Sequence, residues 1–299
     1  MKIIEIDINN LNIEENPNIN LVLGYFDGVH IGHQEMIKKA VNNGDTAVMT
    51  FDISPSFALG KSTKYSHITS LYDKANIVSS LGVKTLYILR TDKKFLELSK
   101  QDFIDKILLP IKPKRIYVGS DYRFGKNAEG SSEDLEKYFN VYVQDLVECD
   151  ERKVSSRYIR ELISNGNISE ANKLLGRPYQ LTGIVIEGRH NGEKIGFPTA
   201  NLELTYPYVL PKIGVYIGYV KLLSSKYKAI ISMSTHPTIM KLNEPIVEVH
   251  LLSYKGDLYG KEIEVQFVDY IRDVMKFNSL EELGGQLQKD KEYAKNTLK

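Results

Sequence analysis

The sequence predicts an α/β protein in which a doubly wound parallel sheet is followed by a smaller antiparallel β-barrel and a terminal helix. Strand and helix patterns alternate up to about residue 147, short strands without helices follow from about residue 177, and a helical pattern begins near residue 280. Alternating strands and helices form parallel sheets covered on both faces, whereas regularly spaced short strands form barrels. We therefore predict two domains, residues 1–176 and 177–299, that meet at the turn of residues 176–178.

Short apolar segments bounded by turn residues define the strands of both predicted domains. The first domain has predicted strands at 21–23, 47–51, 85–89, 115–118 and 142–147, predicted helices at 34–40, 71–81 and 100–109, and an edge-strand pattern at 1–6. The second has predicted strands at 183–186, 214–220, 229–233, 246–251 and 263–267 and a predicted helix at 280–289. Helical patterns at 156–165 and 169–175 lie between the two halves.

Composition narrows the class of protein. The 299 residues are 42% hydrophobic, enough for two filled cores, and the net charge of +1 does not favour nucleic acid as a partner. The one cysteine, Cys149, excludes an internal disulfide framework or a cysteine zinc cluster. No apolar segment approaches the ~20 residues of a membrane helix, and the N-terminal residues lack a signal-peptide pattern. We therefore expect a cytoplasmic enzyme without a membrane or nucleic-acid partner.

The segment Gly-Tyr-Phe-Asp-Gly-Val-His-Ile-Gly-His, residues 24–33, joins a predicted strand to a predicted helix. Such a turn presents unpaired backbone N–H groups and the positive end of the helix dipole to an anion. Gly28 and Gly32 allow the backbone to approach a ligand closely, and His30 and His33 share one face of a helical turn. The segment therefore predicts a phosphate site, although two histidines could also bind a metal.

Two further loops follow predicted strands, at residues 50–55 and 119–125. Because ligands bind beyond the carboxyl ends of parallel strands, we expect these loops and the histidine turn to converge on one site. Tyr122 and Phe124 could stack on a flat ligand ring, and Asp121 could meet its polar edge. An aromatic turn that faces the core is the alternative for residues 119–125.

Hydroxyls and arginines mark the start of the helix predicted at 156–165. Ser155 and Ser156 could cap this helix and contact phosphate oxygens, while Arg157 and Arg160 lie on one face. A surface helix with an ordinary cap is the alternative. Beside the histidine turn, we favour a second set of contacts to a polyphosphate.

A second candidate site lies in the barrel, where a glycine-bearing loop leads into Gly-Phe-Pro-Thr-Ala-Asn-Leu at residues 196–202. Glycines let backbone N–H groups wrap a phosphate, and Thr199 and Asn201 offer oxygen ligands for Mg²⁺. Further along, Glu248 and His250 alternate on one strand face, and Glu248 could accept a proton from a hydroxyl nucleophile. On the residues alone, an ordinary loop and a surface glutamate are the alternative.

The His-x-Gly-His sequence of residues 30–33 resembles the signature of the nucleotidyltransferase superfamily, and the whole segment 24–33 resembles the FAD synthetases of bacteria. The resemblance implies adenylyl transfer: the terminal phosphate of FMN attacks the α-phosphorus of ATP, and pyrophosphate leaves. It implies catalytic roles for His30 and His33 and a Mg²⁺ ion on the phosphates. The implied ATP or phosphate contacts are Gly24, Phe26, Gly28, Gly32, Ser155, Ser156 and Arg160. The implied flavin contacts are Phe51, Asp52, Pro55, Asp121, Tyr122 and Phe124.

The second candidate site resembles riboflavin kinase, through Gly-Phe-Pro-Thr-Ala-Asn-Leu and Val-Glu-Val-His-Leu-Leu. The implied reaction moves the γ-phosphate of ATP to the ribityl 5′-hydroxyl of riboflavin. Thr199 and Asn201 would hold Mg²⁺-ATP together with Gly196, and Glu248 would be the general base.

Several residues depart from these family patterns. Arg157 stands where threonine is usual, and Ile53 and Ser54 replace a proline and a histidine. In the second half, His236 replaces a usual asparagine and Glu193 stands where a basic residue is common.

The resemblance covers residues 22–290 with its motifs in family order. It implies a bifunctional enzyme that makes FMN and then FAD. An FMN adenylyltransferase with a degenerate kinase-like domain is the alternative, and a flavin- or nucleotide-sensing binding protein without catalysis is a third hypothesis.

Overall fold

The structure, a computed structural model, describes residues 1–60, 66–150, 152–187, 196–235 and 245–299. These residues divide into two units, Met1–Ser156 and Arg157–Lys299. The division places the helical patterns after residue 156 with the barrel, whereas the sequence predicts a boundary at residue 176; that boundary remains a prediction.

A six-stranded parallel sheet forms the centre of the first unit. Its strands are β1 Lys2–Ile6, β2 Asn20–Leu23, β3 Thr46–Phe51, β4 Thr85–Leu89, β5 Arg115–Gly119 and β6 Val141–Gln144. They lie in the order β1-β4-β3-β2-β5-β6, with β1 at one edge, and each neighbouring pair is parallel. The parallel sheet and its edge strand are therefore confirmed, although β6 ends at Gln144 rather than at residue 147.

The strand order reverses between β2 and β5, because the chain runs from β2 outward through β3 and β4 and then returns to β5 on the other side. Ligands of doubly wound sheets bind at this reversal, beyond the carboxyl ends of the strands. The loops after β2 and β5 flank the reversal and carry the histidine turn and residues 119–125. The loop after β3, which carries residues 50–55, lies beside them.

Helices cover both faces of the sheet. They are α1 Ile31–Asn42, α2 Pro55–Ala58, α3 Leu71–Ser80, α4 Lys93–Leu96, α5 Lys100–Phe103, α6 Leu109–Ile111 and α7 Ser132–Glu136, with a 3₁₀ turn at Lys126–Ala128. Val22 of β2 packs with α1 and α3, whereas Leu21 and Leu23 point to the opposite face, against the residues around Phe103. Because successive strand side chains alternate, the continuous apolar run of β2 fills both cores.

The helix predicted at 100–109 is interrupted by a π-helical segment, Ile104–Leu108, between α5 and α6. Pro110 follows directly and has no backbone N–H for the regular bond four residues back. The wider π turn accommodates this missing donor, so the prediction of one continuous helix was wrong in its regularity.

A closed antiparallel barrel forms the second unit. Its strands are β9 Tyr179–Ile186, β10 Ala200–Leu204, β11 Gly214–Leu222, β12 Ser225–Thr235, β13 Pro245–Leu251 and β14 Glu262–Arg272. Two further strands, β7 Glu148–Cys149 and β8 Arg152–Lys153, form a small hairpin in the first unit. The barrel strands lie in the order β10-β13-β12-β11-β14-β9. The barrel is therefore confirmed, although β10 is not among the strands that the sequence predicts.

The described part of the second unit has three helices: α8 Ser156–Ser164, which begins on the last residue of the first unit, α9 Ile168–Leu175 and α10 Leu280–Thr297. Ser279 caps α10 by accepting from the backbone N–H of Glu282, and the helix runs past its expected end at residue 289. Asp290 of α10, 3% exposed, pairs with Arg272 of β14, whose Nη2 lies 2.7 Å from the carboxylate. This ion pair fastens the terminal helix to the barrel. No helix among the described residues is both long and apolar enough to cross a membrane.

Candidate active sites

The turn after β2 has an unfavourable backbone. Phe26, Gly28 and Val29 have φ angles of 54°, 78° and 39°, in the left-handed region that L-residues with bulky or branched side chains avoid. Gly28 adopts this conformation without strain, whereas Phe26 and Val29 each cost on the order of 1–3 kcal/mol and persist only when their surroundings hold them. Phe26 and Val29 are 2% and 0% exposed, so core packing supplies part of that support. Strain of this kind clusters at ligand sites.

Gly24 and Phe26 stabilise this turn together. A Cβ at Gly24 would come within 2.6 Å of the Phe26 ring, so the ring packs directly on the glycine backbone. The same ring contacts His33 edge-on, with centroids 5.1 Å apart. Both residues therefore shape the candidate site, and their predicted contact with ATP remains a prediction.

The structure brings His30 and His33 into one stack. His30 is the N-cap of α1, and its Nδ1 accepts from the backbone N–H of His33 at 3.4 Å. The two rings lie with centroids 3.5 Å apart and planes 17° from parallel. A Cβ at Gly32, between them in the sequence, would lie 3.3 Å from Val147 Cβ and 3.4 Å from His30 Nδ1, so the space there is tight. The predicted pair is thus a preformed unit at a helix N-terminus.

The surroundings of His33 favour its neutral ring. Burial lowers the pKa of His33 well below its ordinary value of 6.5, and nearby His30 and Lys74 lower it further. Its Nδ1 is buried and has no hydrogen-bond partner among the described residues. A phosphate would reverse this balance, because an anion favours the protonated ring and offers oxygens to both imidazoles.

Backbone and side-chain hydrogen bonds hold the turn between its neighbours. The Asp27 carboxylate, 2% exposed, accepts from the N–H of Ile68 at 2.9 Å, and the N–H of Gly28 donates to Thr69 Oγ1 at 3.1 Å. The Ser156 hydroxyl donates to the Asp27 carbonyl oxygen at 2.8 Å. Ser156, a predicted phosphate contact, therefore lies at the turn and helps to fix it.

Ser155 and Arg160 are the other two predicted phosphate contacts near the start of α8. Ser155 is half-buried directly before Ser156. Arg160 lies on α8 in the second unit. Their roles toward phosphate remain predictions.

Sequence reasoning missed the segment of residues 66–70 and the lysine that follows it. His67 Nδ1 lies 2.6 Å from the hydroxyl of Tyr25. Ser70 caps α3 by accepting from the N–H of Asp73 at 3.0 Å, a serine-to-acid spacing that the sequence displays as a helix start. Lys74, one position further, is 3% exposed and bonds to the Tyr25 carbonyl at 2.7 Å. The sequence does indicate that Lys74 is buried, because it lies on the same helix face as the apolar residues Ala75 and Val78.

The loop after β5 divides between surface and core. Asp121 is exposed and forms an ion pair with Lys153, 3.0 Å away. Tyr122 is half-buried and stacks on Phe124 with centroids 5.9 Å apart. Phe124 is 6% exposed and packs on Phe103 in the core. Asp121 is therefore on the surface, whereas Tyr122 packs partly and Phe124 almost fully against the core; the predicted flavin contacts remain predictions.

Asp52 organises the loop after β3. Its Oδ1 accepts from the N–H of Ile53 at 2.7 Å and from the N–H of Thr91 at 2.9 Å. Phe51 lies near Tyr25, with ring centroids 6.4 Å apart, and Pro55 begins α2. The carboxylate therefore ties this loop to the end of β4, and the loop keeps its order without the usual proline and histidine at positions 53 and 54.

The register of the barrel aligns three polar residues of the second candidate site. Asn201 of β10 lies opposite Glu248 of β13, which in turn lies opposite Ser232 of β12. Residues directly opposite on paired strands point to the same face. Their neighbours on β13, Val247 and Val249, are each 1% exposed and face the barrel interior. Asn201, Glu248 and Ser232 therefore form a polar row on the outer face, and Ser232 was not anticipated.

Thr199 and Gly196 precede this row. Both are exposed, and Gly196 has a φ of 75° that favours glycine. His250 Nδ1 lies 2.8 Å from the Pro198 carbonyl oxygen, which fixes the segment just before β10. Thr199 lies directly before β10, two residues from Asn201. Glu193 and His236, noted as departures, lie outside the described residues.

No group of three or more histidine, cysteine or acidic side chains in the described ranges is arranged to hold a metal ion.

Comparison with known proteins assigns the two halves separately. Residues 12–158 match the family model described as FAD synthetase, and residues 175–298 match the one described as riboflavin kinase. The bifunctional riboflavin kinase/FMN adenylyltransferase of Listeria monocytogenes is 38% identical over 93% of each chain. The chain belongs to the bifunctional riboflavin kinase/FMN adenylyltransferase family. Its relative in Bacillus subtilis, of the same name, is 37% identical over 94% of this chain and 93% of its own.

One solved crystal structure is similar to this chain over nearly its whole length. A protein of Streptococcus pneumoniae named as a macrolide-efflux protein superposes with a TM-score of 0.89 at 35% identity, covering 98% of this chain and 99% of that one. Within this family, the histidine turn falls in the FAD synthetase segment, and the row around Glu248 falls in the riboflavin kinase segment.

Proposed function

We propose that this chain carries out both reactions for which its family is named, with a separate site in each half. The first unit transfers an adenylyl group from ATP to FMN, giving FAD and pyrophosphate. The barrel transfers the γ-phosphate of ATP to riboflavin, giving FMN. The stacked histidine pair at the strained turn is the observation that carries the proposal, because it joins an anion-binding helix start to two imidazoles at the reversal of strand order.

For adenylyl transfer, the protein positions its substrates and stabilises developing charge, and it forms no covalent intermediate. His30 and His33 donate hydrogen bonds to the α-phosphate as negative charge builds on its oxygens. Ser155, Ser156 and Arg160 receive the departing phosphates. Asp121 and Tyr122 border the flavin on the side of the loop after β5.

For the kinase reaction, Glu248 takes the proton from the ribityl hydroxyl as that oxygen attacks the γ-phosphorus. The half-buried Asn201 lies opposite it across the strands, and the exposed Thr199 is two residues before Asn201 in the chain. Amide and hydroxyl oxygens fit Mg²⁺, and Thr199 and Asn201 are its proposed ligands. When bound with ATP, Mg²⁺ neutralises phosphate charge.

We also propose that the chain acts in the cytoplasm on small molecules alone: ATP, riboflavin and FMN as substrates and FAD as product. The proposal depends on both sites, so an assay must follow them independently.

The test incubates the purified protein with riboflavin, ATP and Mg²⁺ and separates the flavins by chromatography over time. FMN should appear first and FAD should follow, and chelation of Mg²⁺ should stop both steps. A parallel incubation with FMN and ATP should give FAD directly. FAD from supplied FMN without any FMN from riboflavin would refute the kinase assignment, and absence of both products would refute the whole proposal.

A further inference from the structure

A buried lysine lies beside the strained turn. Lys74 of α3 is 3% exposed, and its ammonium group donates to the Tyr25 carbonyl at 2.7 Å and to Thr50 Oγ1 at 3.1 Å. The same nitrogen lies 4.5 Å from the centroid of the Tyr25 ring, in cation–π contact. The lysine therefore meets Tyr25 twice, at its backbone and at its side chain.

A contribution to stability does not explain why a lysine is buried at this position. Lysines are almost never fully buried unless they are paired, and an apolar side chain would pack in the same space without desolvating a charge. Burial lowers the pKa of Lys74 to about 8, while the nearby Asp27 carboxylate favours the charged form. The group therefore stays largely protonated at neutral pH, and the buried charge needs an explanation.

The position of the Tyr25 carbonyl supplies one. This carbonyl belongs to the peptide that joins Tyr25 to Phe26, the first left-handed residue of the turn. It receives two donors, Lys74 from α3 and the Thr50 hydroxyl from the end of β3, the latter at 2.8 Å. The strained turn begins at this peptide and runs through Val29 to His30, which caps α1.

We propose that Lys74 is a positioning residue for adenylyl transfer, holding the entry to the turn so that the stacked histidines keep their alignment toward the nucleotide. Lys74 does not touch the substrate; it acts through the Tyr25 peptide. The proposal rests on the proposed function of the histidine turn.

The principal variant is Lys74→Met, which keeps much of the side-chain volume and removes the charged donor. We expect kcat for FAD formation from supplied FMN to fall about 10- to 100-fold, because small displacements of aligned groups have effects of this size. KM for FMN should change by less than about threefold, since substrate contacts are retained. Riboflavin phosphorylation by the same protein should stay within about twofold of the parent, which makes the barrel an internal control.

Lys39→Met is a matched control. Lys39 of α1 also bonds to a tyrosine, with its Nζ 2.7 Å from the Tyr142 hydroxyl and 4.2 Å from that ring's centroid, but it is exposed. This variant loses the same kind of contact in the same unit and should form FAD at the parent rate. Lys74→Arg, which retains a charged donor, should recover part of the rate lost in Lys74→Met.

Thermal melts of each variant separate positioning from folding. FAD formation by folded Lys74→Met at the parent rate would overturn the proposal, as would a loss that only mirrors a smaller folded fraction. If Lys74→Met does not fold, Thr50→Val replaces it, because it removes the other donor to the same carbonyl. The expected result is then a fall of about 3- to 10-fold in kcat with KM unchanged, and a parent-like rate would refute the idea.

A parallel His30→Ala His33→Ala variant distinguishes the failure of this proposal from that of the proposed function. If this variant still makes FAD, the histidine turn is not the adenylyl-transfer site. If it does not, while folded Lys74→Met does, only the role of Lys74 is wrong.

Discussion

Replacement of His30 separates two roles that one side chain combines. His30 caps α1 through Nδ1, and its ring stacks on His33 with centroids 3.5 Å apart. Asparagine is among the best N-cap residues but has no imidazole, whereas alanine supplies neither function. His30→Asn should therefore keep the helix start and lose the catalytic ring, and His30→Ala should lose both.

The structure sets the expected size of each effect. The capping distance of 3.4 Å is long, so its loss in His30→Ala should cost only about 0.5–1 kcal/mol of the free energy of unfolding. For a unit of this size, that corresponds to a fall in Tm of about 1–4 °C. Removing one preorganised donor to a developing oxyanion costs about 2.7–4 kcal/mol of transition-state stabilisation, a 10²- to 10³-fold loss in kcat.

The assay measures FAD formation from FMN and ATP together with a thermal melt. His30→Asn should melt within about 1 °C of the parent, because the cap is retained, and should lose at least about 100-fold in kcat. FAD formation by His30→Asn within about threefold of the parent would show that the ring has no catalytic part, and the reasoning from the stacked pair would fail.

Three further predictions follow from single groups. Glu248→Gln should lower FMN formation about 10²- to 10⁴-fold while leaving FAD formation from supplied FMN unchanged, and equal loss of both activities would count against its role as base. Asp290→Asn leaves the half-buried Arg272 without its carboxylate and should lower the stability of the barrel by about 3 kcal/mol in denaturant unfolding, whereas an unchanged midpoint would contradict the ion pair's importance. Because burial lowers the pKa of His33, its imidazole should stay neutral as pH falls through 6.5, and a proton NMR titration with a midpoint at or above 6.5 would be the contrary result. The unfolded chain then binds more protons than the folded one, so stability should decrease as pH falls below about 6.5.

Most of the fold was predictable because its signals are local. The apolar runs of β2, β3 and β4, buried on both faces, identify a parallel sheet. The strand β10 was not predicted because it directly follows Gly-Phe-Pro-Thr, in which glycine and proline indicate a turn. The interruption of the helix at 100–109 comes from Pro110, whose effect on the preceding turns depends on how the segment packs.

The candidate sites show the same division. The glycines and histidines of residues 24–33 predict the turn, because left-handed backbone and anion binding require particular residue types at particular positions. Lys74 and the segment 66–70 carry no such local signature. Ser232 likewise becomes part of the second site only through its register with Glu248.

By itself, the sequence determined the fold class, the order of the two halves and the location of both candidate sites, since hydrophobic periodicity and turn chemistry act over a few neighbouring residues. Only the tertiary structure decided which side chains support those sites: the lysine bonded to the Tyr25 carbonyl, the serine hydroxyl at Asp27 and the polar row across three barrel strands. Burial and strand register depend on residues distant in the chain, and these physical quantities set the charge state and alignment of the groups that are proposed to react.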